Sequence, residues 1–260
     1  MKNICKLTFL GLFILFSFYY TNKVALIVKK SNPMIKQINN IKDKYTIKSV
    51  NAKIKDNTIV PGLNGKKVNI DKSFENMNKL GFFNEEYLMF SEIKPKISLN
   101  DNIDKIIIKG NDNKNGVSLI CDNSDILNFL INSKIKVTTS YKMEEKSNKL
   151  LTYINNENTE KRFDDVESIL NVKKNNTNIC VIDNNNYIIC KKYKKYLVMP
   201  SKVLNSSNIL ELKKNIKSGD IIKIKDNAKL SDVKILIKNI YNNNLKIISL
   251  DEIINESIIK

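Results

Sequence analysis

The second half of the chain alternates between strand-like and helix-like segments, and this alternation limits the possible folds more than any other feature. Apolar runs such as VSLIC (117–121) and DIIKIKD (220–226) are typical of buried strands. The segment LSDVKILIKNIYNNN (230–244) instead has an apolar helical face, made of Val233, Leu236, Ile237, Ile240 and Tyr241. Repeated strand–helix–strand units form a parallel sheet or barrel flanked by helices. We therefore expect an α/β domain over residues 116–260.

The residues before this domain follow a different pattern. Short strands separated by Pro-Gly and Asn-Gly turns, as in NTIVPGLNGKKVNI, predict a small, mainly-β module over residues 45–110. Within it, DKSFENMNKLG predicts one helix, capped by Asp71 or Ser73 and ended by Gly81. A lysine- and asparagine-rich stalk over residues 23–44 precedes the module.

The N-terminus has the pattern of a targeting segment. A basic start is followed by an uncharged, mostly apolar run over residues 7–20 and then by Lys23. Because no small-residue cleavage site precedes Lys23, we favour an uncleaved signal anchor over a cleaved signal peptide. We predict a signal anchor at residues 1–22 that enters the membrane through residues 4–20. The protein would then be a single-pass protein of the cell membrane with most of its chain extracytoplasmic.

The charge of the chain does not indicate a nucleic-acid partner. The formal net charge is +17, but Arg162 is the only arginine among 44 basic residues. Proteins that read nucleic acids rely on arginine for bidentate contacts and on aromatic side chains for stacking. Here the lysines are dispersed and not interleaved with aromatic residues, which is typical of a solvated surface. We therefore expect no nucleic-acid partner.

Histidine is absent from the chain, and this restricts the chemistry that it can perform. Histidine is the commonest transition-metal ligand and the usual general base near neutral pH. We expect no metal site and no cofactor. Cys180 and Cys190 bracket a polar turn and form a possible disulfide in an oxidising compartment, although two free buried thiols are an equal alternative. Cys121 is expected to be a small buried apolar residue.

Three segments occur in an order that points to one family. Residues 117–141, VSLICDNSDILNFLINSKIKVTTSY, contain a strand that ends in Asp-Asn, then a helix that Ser124 is expected to cap, and a second strand. Residues 212–227 read LKKNIKSGDIIKIKDN, and residues 230–254 read LSDVKILIKNIYNNNLKIISLDEII. Together they resemble the opening Thr-Phe-Asp-Asp-Gly, the late Leu-Leu-His-Asp and the closing segment of the polysaccharide deacetylases, carbohydrate esterases with a NodB-type domain. The resemblance implies a truncated irregular (β/α) barrel of the polysaccharide deacetylase type, preceded by the mainly-β module and an N-terminal membrane helix.

The resemblance also assigns roles to individual residues. Asp122 takes the position of the family's catalytic base, which activates water. Asn123 takes the position of an aspartate that binds a divalent metal together with two histidines of a His-x3-His motif. Lys225 takes the position of the late histidine, which acts as an acid. The resemblance therefore implies that Asp122 is kept while the metal ligands and the acid are lost.

We accordingly expect a membrane-anchored, extracytoplasmic, polysaccharide deacetylase-like protein that is a catalytically inactive homologue acting at or binding cell-wall carbohydrate. Two alternatives stay open. The first is an active N-deacetylase of peptidoglycan or chitooligosaccharide with an altered metal site, and the second is a structural envelope protein. A carbohydrate groove would need aromatic side chains, for which the candidates are Tyr141, Tyr187 and Tyr196.

Two further patterns concern the region between the first and second motifs. Helical patches are predicted around Asn148 to Ile154 and around Val166 to Leu170. Asp164 and Asp165 precede the second patch, where acidic residues favour a helix N-terminus. We expect this pair to lead a helix and not to bind a metal.

Overall fold

The computed structural model describes residues 11–21, 23–24, 31–140, 151–153, 155–156, 178–182, 190–191 and 194–258. The chain forms two compact units, a smaller one made of residues 1–48 and 65–93 and a larger one made of residues 49–64 and 94–260. Residues 49–64 and 94–110 of the predicted β module are thus grouped with the larger unit. The physical reason is that the strands in these segments pair within the sheet of that unit.

Between residues 31 and 93, the described part of the smaller unit includes two α-helices and one antiparallel strand pair. Helix α1 spans Pro33–Ile41, and Asn32 caps it by accepting a hydrogen bond from the Met34 amide. Helix α2 spans Ile70–Asn78 and is followed by Gly81, whose φ of +77° suits a residue without a side chain. Asn69 caps α2, so the predicted caps Asp71 and Ser73 were wrong by one turn or less. Strands β3 (Gly65–Val68) and β4 (Phe90–Ile93) pair in antiparallel fashion.

The core of the smaller unit is formed where these elements meet. It consists of Ile38, Val68, Met77 and Leu88. Each of them contributes roughly 1.5–3 kcal/mol of burial free energy, which is enough to order short elements that would not be stable alone.

A helix covers residues 11–21, within the predicted signal anchor. Its large apolar side chains, which include Leu12, Phe13, Phe16 and Phe18, are exposed. In the part of the chain that the structure describes, no helix is long and apolar enough to cross a membrane. Residues 1–10 of the predicted anchor lie outside the described residues.

The larger unit contains two mainly parallel sheets. The first has the strand order β1-β2-β5-β11-β10-β9, and the second has the order β12-β13-β6-β7-β8, with β14 pairing to β6. The strands are β1 (Lys53–Lys55), β2 (Thr58–Val60), β5 (Ile106–Ile107), β6 (Gly116–Cys121), β7 (Val137–Thr139), β8 (Leu151–Tyr153), β9 (Asn155–Asn156), β10 (Ile179–Val181), β11 (Tyr196–Val198), β12 (Lys202–Leu204), β13 (Ile221–Ile224) and β14 (Lys246–Ile247). Among their pairings, β1–β2 is the antiparallel one. The predicted α/β class with parallel sheets is confirmed.

Helices cover the outer face of the second sheet, as the alternating sequence pattern predicts. They are α3 (Ser124–Asn132), α4 (Ile209–Leu212) and α5 (Leu230–Asn242). The predicted apolar face of α5 is buried at Val233, Leu236, Ile237 and Ile240, whereas Tyr241 is exposed. These side chains pack on the residues of β6 that point to the same side, Val117, Leu119 and Cys121. Because side chains alternate along a strand, the other face of β6 points to the interior between the sheets.

The interior between the two sheets is a second apolar core. It receives side chains from both sheets, including Ile107 and Val198 from the first and Ile120 and Ile221 from the second. Helix α6 (Leu250–Ile254) adds apolar side chains to the same core, and a capping box at Ser249 begins it. The two mainly parallel sheets thus share one apolar core, which α6 helps to fill.

Helix α6 closes the amino ends of the strands. Lys114, directly before β6, donates hydrogen bonds to the Glu252 carbonyl and to Asn255 Oδ1, the latter at 2.7 Å. Lys136, directly before β7, contacts both carboxylate oxygens of Glu252 at 2.7 and 2.8 Å. Gly110 permits the close approach of α6, since a Cβ there would lie 2.6 Å from the Ile253 side chain. Helix α6 therefore covers the amino ends of β6 and β7.

One predicted helix is a strand in the structure. Leu151–Tyr153, within the patch predicted as helical around residues 148–154, forms β8 and pairs in parallel with β7. The sequence NKLLTYI suits either state, and pairing with a sheet edge decides between them. The helix predicted around Val166 to Leu170 and the Asp164–Asp165 pair lie outside the described residues.

Candidate functional site

The candidate site lies where the parallel strands of the second sheet end. Strands β6 and β13 are paired so that Cys121 faces Ile224. The next residues, Asp122 and Lys225, therefore follow neighbouring strands at the same sheet edge. In open α/β structures ligands bind beyond the carboxyl ends of the strands, which is this edge. The structure thus places Asp122 and Lys225, the two residues assigned by the family resemblance, at neighbouring strand ends.

Asp122 is held by the end of the adjacent strand β7. Its Oδ1 atom accepts hydrogen bonds from the Ser140 amide at 2.8 Å, the Ser140 hydroxyl at 2.9 Å and the Thr139 hydroxyl at 3.2 Å. Its Oδ2 atom accepts none from the described residues. The carboxylate is thus fixed in orientation while one oxygen is available to a ligand.

Ser140 and Thr139 were not predicted as site residues. The signal for them was the hydroxyl-rich sequence VTTS, which ends the strand beside the one that carries Asp122. Once β6 and β7 are known to be parallel neighbours, their ends must meet at one edge. The pairing, which sequence alone does not give, was the missing step.

Asn123 is committed to the local structure. Its Oδ1 accepts hydrogen bonds from the amides of Asp125 and Ile126, both at 3.0 Å, so Asn123 is the N-cap of α3. Its Nδ2 donates to the Asp226 carbonyl at 3.2 Å. The predicted cap Ser124 is instead the first residue of the helix. Asparagine is as good a cap as serine, and it lies where the extended backbone turns into the helix.

The residues at this edge do not fit the divalent metal that the resemblance implies. Asn123, at the position of the family's metal-binding aspartate, carries a neutral amide whose oxygen already accepts two backbone hydrogen bonds. The chain contains no histidine to supply imidazole ligands. In the described ranges, three or more histidine, cysteine or acidic side chains are nowhere grouped so that they could hold a metal ion.

Lys225 lies on the exposed side of the edge. Its backbone amide donates to the Leu204 carbonyl at 2.9 Å, which ties the end of β13 to the end of β12. Its side chain is exposed, as is that of Asp226. A flexible lysine in this position supplies a positive charge to a ligand, but it does not reproduce the proton transfer of an imidazole near neutral pH.

Cys121 does not take part in the site, although it precedes Asp122. Its side chain points into the core under α3. Burial raises the pKa of its thiol from 9.0 to about 12, so the thiol stays protonated. It is therefore an inert buried side chain and not a nucleophile.

The remaining candidates are placed as follows. Cys180 and Cys190 are joined by a disulfide, with their Cα atoms 6.1 Å apart, and both are buried. Tyr196 packs against the interior core, and its hydroxyl donates to Asn100 Oδ1. Tyr141 and Tyr187 lie outside the described residues.

Comparison with known sequences gives a short match. No family model matches the chain. A 95-residue stretch is 33% identical to the "Uncharacterized protein YlxY" of Bacillus subtilis (strain 168). This stretch covers 36% of the chain and 30% of that protein. The chain thus aligns with less than a third of the length of that relative.

Comparison with solved structures gives a longer match. WT BA3943, described as a CE4 family pseudoenzyme from Bacillus anthracis, superposes with a TM-score of 0.54 over 88% of this chain and 97% of that one, at 17% identity. A BA3943 mutant described as a CE4 family pseudoenzyme with restored enzymatic activity superposes with a TM-score of 0.56, over 88% and 100% of the two chains, at 16% identity.

These superpositions cover most of this chain. The identities are low, so the likeness concerns the fold. We conclude that the chain has the fold of these CE4 family structures, the NodB-type polysaccharide deacetylase fold. Asn123 stands where the resemblance places the metal-binding aspartate of the first motif.

Proposed function

We propose that this protein is a catalytically inactive polysaccharide deacetylase homologue that binds cell-wall carbohydrate at the carboxyl ends of its barrel strands. The solved structures with the same fold are described as pseudoenzymes, which supports an inactive protein. The second part of the proposal, carbohydrate binding, rests on the side chains at the carboxyl ends of β6 and β13.

One observation carries the proposal of inactivity. Asn123 uses both ends of its amide in hydrogen bonds, as the cap of α3 and as a donor to Asp226. Because this neutral amide is already committed to the helix cap, Asn123 does not supply the anionic ligand that would hold a metal to polarise an amide bond of the substrate. Losing a metal Lewis acid removes several kcal/mol of transition-state stabilisation.

The geometry of Asp122 supports binding. A carboxylate with one oxygen fixed by three donors and one oxygen unused is a ready acceptor for a sugar hydroxyl. Charge-assisted hydrogen bonds of this kind are stronger than neutral ones. Lys225, on the neighbouring strand end, supplies donors.

We propose further that the protein is exported and attached to the cell membrane by its N-terminal segment. The exposed apolar side chains of residues 11–21 support this, because such a surface is unfavourable in water. The disulfide between Cys180 and Cys190 also supports export, since disulfides persist in oxidising compartments. Carbonate extraction of cell membranes tests the anchor: the protein should stay in the membrane pellet, and its release would contradict an anchor.

Isothermal titration with acetylated chitooligosaccharides and with peptidoglycan fragments tests binding. We expect saturable binding by the full chain, weakened by about tenfold in the Asp122→Asn variant, because a hydrogen bond to a charged group contributes about 1.5–3 kcal/mol. The control is Asp104→Asn, which alters an exposed carboxylate just before β5. Equal affinity of Asp122→Asn and the wild type would place binding elsewhere. No binding by folded protein would favour a structural envelope role.

A further inference from the structure

A second surface of the larger unit, between α3 and α5, has the features of a docking site. A shallow groove of about 360 Å³ runs between α3 and α5 on the outer face of the barrel. We call it the α3–α5 groove. Its apolar lining includes the buried Ile135 and Ile237 and the more exposed Phe129 and Tyr241. Tyr241 is 51% exposed, so a large aromatic side chain stands free at the rim.

The charge around this groove has one sign. The described residues that line it include Lys234 and Lys238, but no carboxylate. The two lysines are four residues apart on α5 and therefore lie on the same side of the helix, one turn apart. Lys234 Nζ lies 5.3 Å from the centre of the Phe129 ring. The ion pairs found among the described residues involve four other lysines.

The shape of the groove distinguishes between possible partners. A membrane surface is bound by apolar side chains that protrude. Here the apolar surface is a shallow, open groove of about 360 Å³. It suits the insertion of one or two large side chains from a protein. A helix laid into a groove presents such anchors at i, i+3, i+4 and i+7.

We propose that the α3–α5 groove is a docking site for an acidic amphipathic helix of a partner protein. The apolar side chains of that helix enter the groove between Phe129 and Tyr241. Its carboxylates, spaced one turn apart, pair with Lys234 and Lys238. The site is separate from the strand-end edge and does not depend on carbohydrate binding there.

A synthetic probe tests this proposal with the full chain. The probe is a fluorescein-labelled peptide of about 18 residues, long enough to form a helix, with a leucine stripe flanked by glutamates at i, i+4 spacing. Fluorescence anisotropy should show saturable binding that weakens as salt is raised. The K234E/K238E double variant should bind at least about tenfold more weakly, because two attractive pairs become repulsive.

Three controls make the result specific. The K53E/K55E variant makes the same change of charge on the exposed strand β1 and should bind like the wild type. A peptide with glutamine in place of glutamate, and flexible polyglutamate, should both bind weakly. Tyr241→Ser removes an apolar wall without changing charge and should also weaken binding. Circular dichroism checks that each variant is folded.

Several results would overturn the proposal. They are an absence of saturable binding, equal affinity for the glutamate peptide and polyglutamate, and unchanged affinity in K234E/K238E. The proposal would also be contradicted if the wild type bound phosphatidylglycerol vesicles but not the peptide, and if the K234E/K238E variant lost the binding to vesicles. That outcome would assign the groove to a membrane surface.

Discussion

At the scale of single residues, the candidate site depends on how two adjacent side chains use their oxygens. Asp122 has one oxygen held by the end of β7, and its other oxygen is open to a ligand. Asn123 has its oxygen turned into α3. An asparagine at this position is thus a structural cap, and its loss should be measurable as stability.

The Asn123→Ala variant should lower the free energy of unfolding by about 1 kcal/mol, because two amides at the start of α3 lose their acceptor. Asn123→Asp should leave stability nearly unchanged, since aspartate caps equally well and favours the helix dipole. Urea denaturation followed by circular dichroism measures both. The control is Asn128→Ala, an exposed position within the same helix. Equal stability of Asn123→Ala and the wild type would show that the cap is not used.

At the scale of elements, helix α6 lies at the amino ends of β6 and β7, opposite to the strand ends that carry the site. The Glu252 carbonyl of this helix accepts a hydrogen bond from Lys114, a lysine with only 4% of its surface exposed. Burial lowers the pKa of Lys114 from 10.5 to about 8, although the carboxylates of Glu252, Glu256 and Asp251 oppose the shift. The Glu252 carboxylate behaves differently: burial raises its pKa, but hydrogen bonds from Lys136 and Ser249 outweigh this effect and leave the pKa below its usual value.

The lowered pKa of Lys114 gives a pH dependence with a definite sign. Between pH 8 and 10.5 the unfolded chain binds a proton on this lysine that the folded chain has released. The free energy of unfolding should therefore rise with pH through this group in that window. Below pH 8 the cost of burying the charge is fully present.

The Lys114→Met variant should lack this contribution. Urea denaturation at each pH gives the free energy of unfolding of both proteins. As the pH is raised from 8 to 10, the value for the wild type should increase relative to that for Lys114→Met. Lys214→Met, at an exposed position, should show a difference from the wild type that does not change with pH. A pH-independent difference for Lys114→Met would mean that the lysine titrates normally and that α6 does not bury its charge.

At the scale of the whole molecule, the sequence predicted what depends on local pattern and missed what depends on pairing. The apolar period of α5 and the buried run of β6 were sufficient to predict an α/β fold with parallel strands. Residues 151–153 were predicted as helical because the pairing of β8 with β7 is non-local. The assignment of residues 49–64 to the larger unit was missed for the same reason, since β2 pairs with β5 across more than 40 residues.

The candidate site shows the same division. Asp122, Asn123 and Lys225 were predicted as one site from motif order, and the register between β6 and β13 brings Asp122 and Lys225 together. Ser140 was missed because its role depends on β7 ending beside β6. The role of Asn123 as a cap was assigned to its neighbour Ser124, because both residue types suit a helix start.

The measurement that tests the central claim most directly is acetate release from acetylated chitooligosaccharides and peptidoglycan fragments. The full chain and its Asn123→Asp variant would be compared, each with zinc, cobalt or manganese and with a metal chelator. We predict no release above the buffer by either protein, because restoring one carboxylate does not supply the imidazole ligands. Metal-dependent release by the wild type, abolished by Asp122→Asn, would contradict the account and show an active deacetylase with an altered metal site.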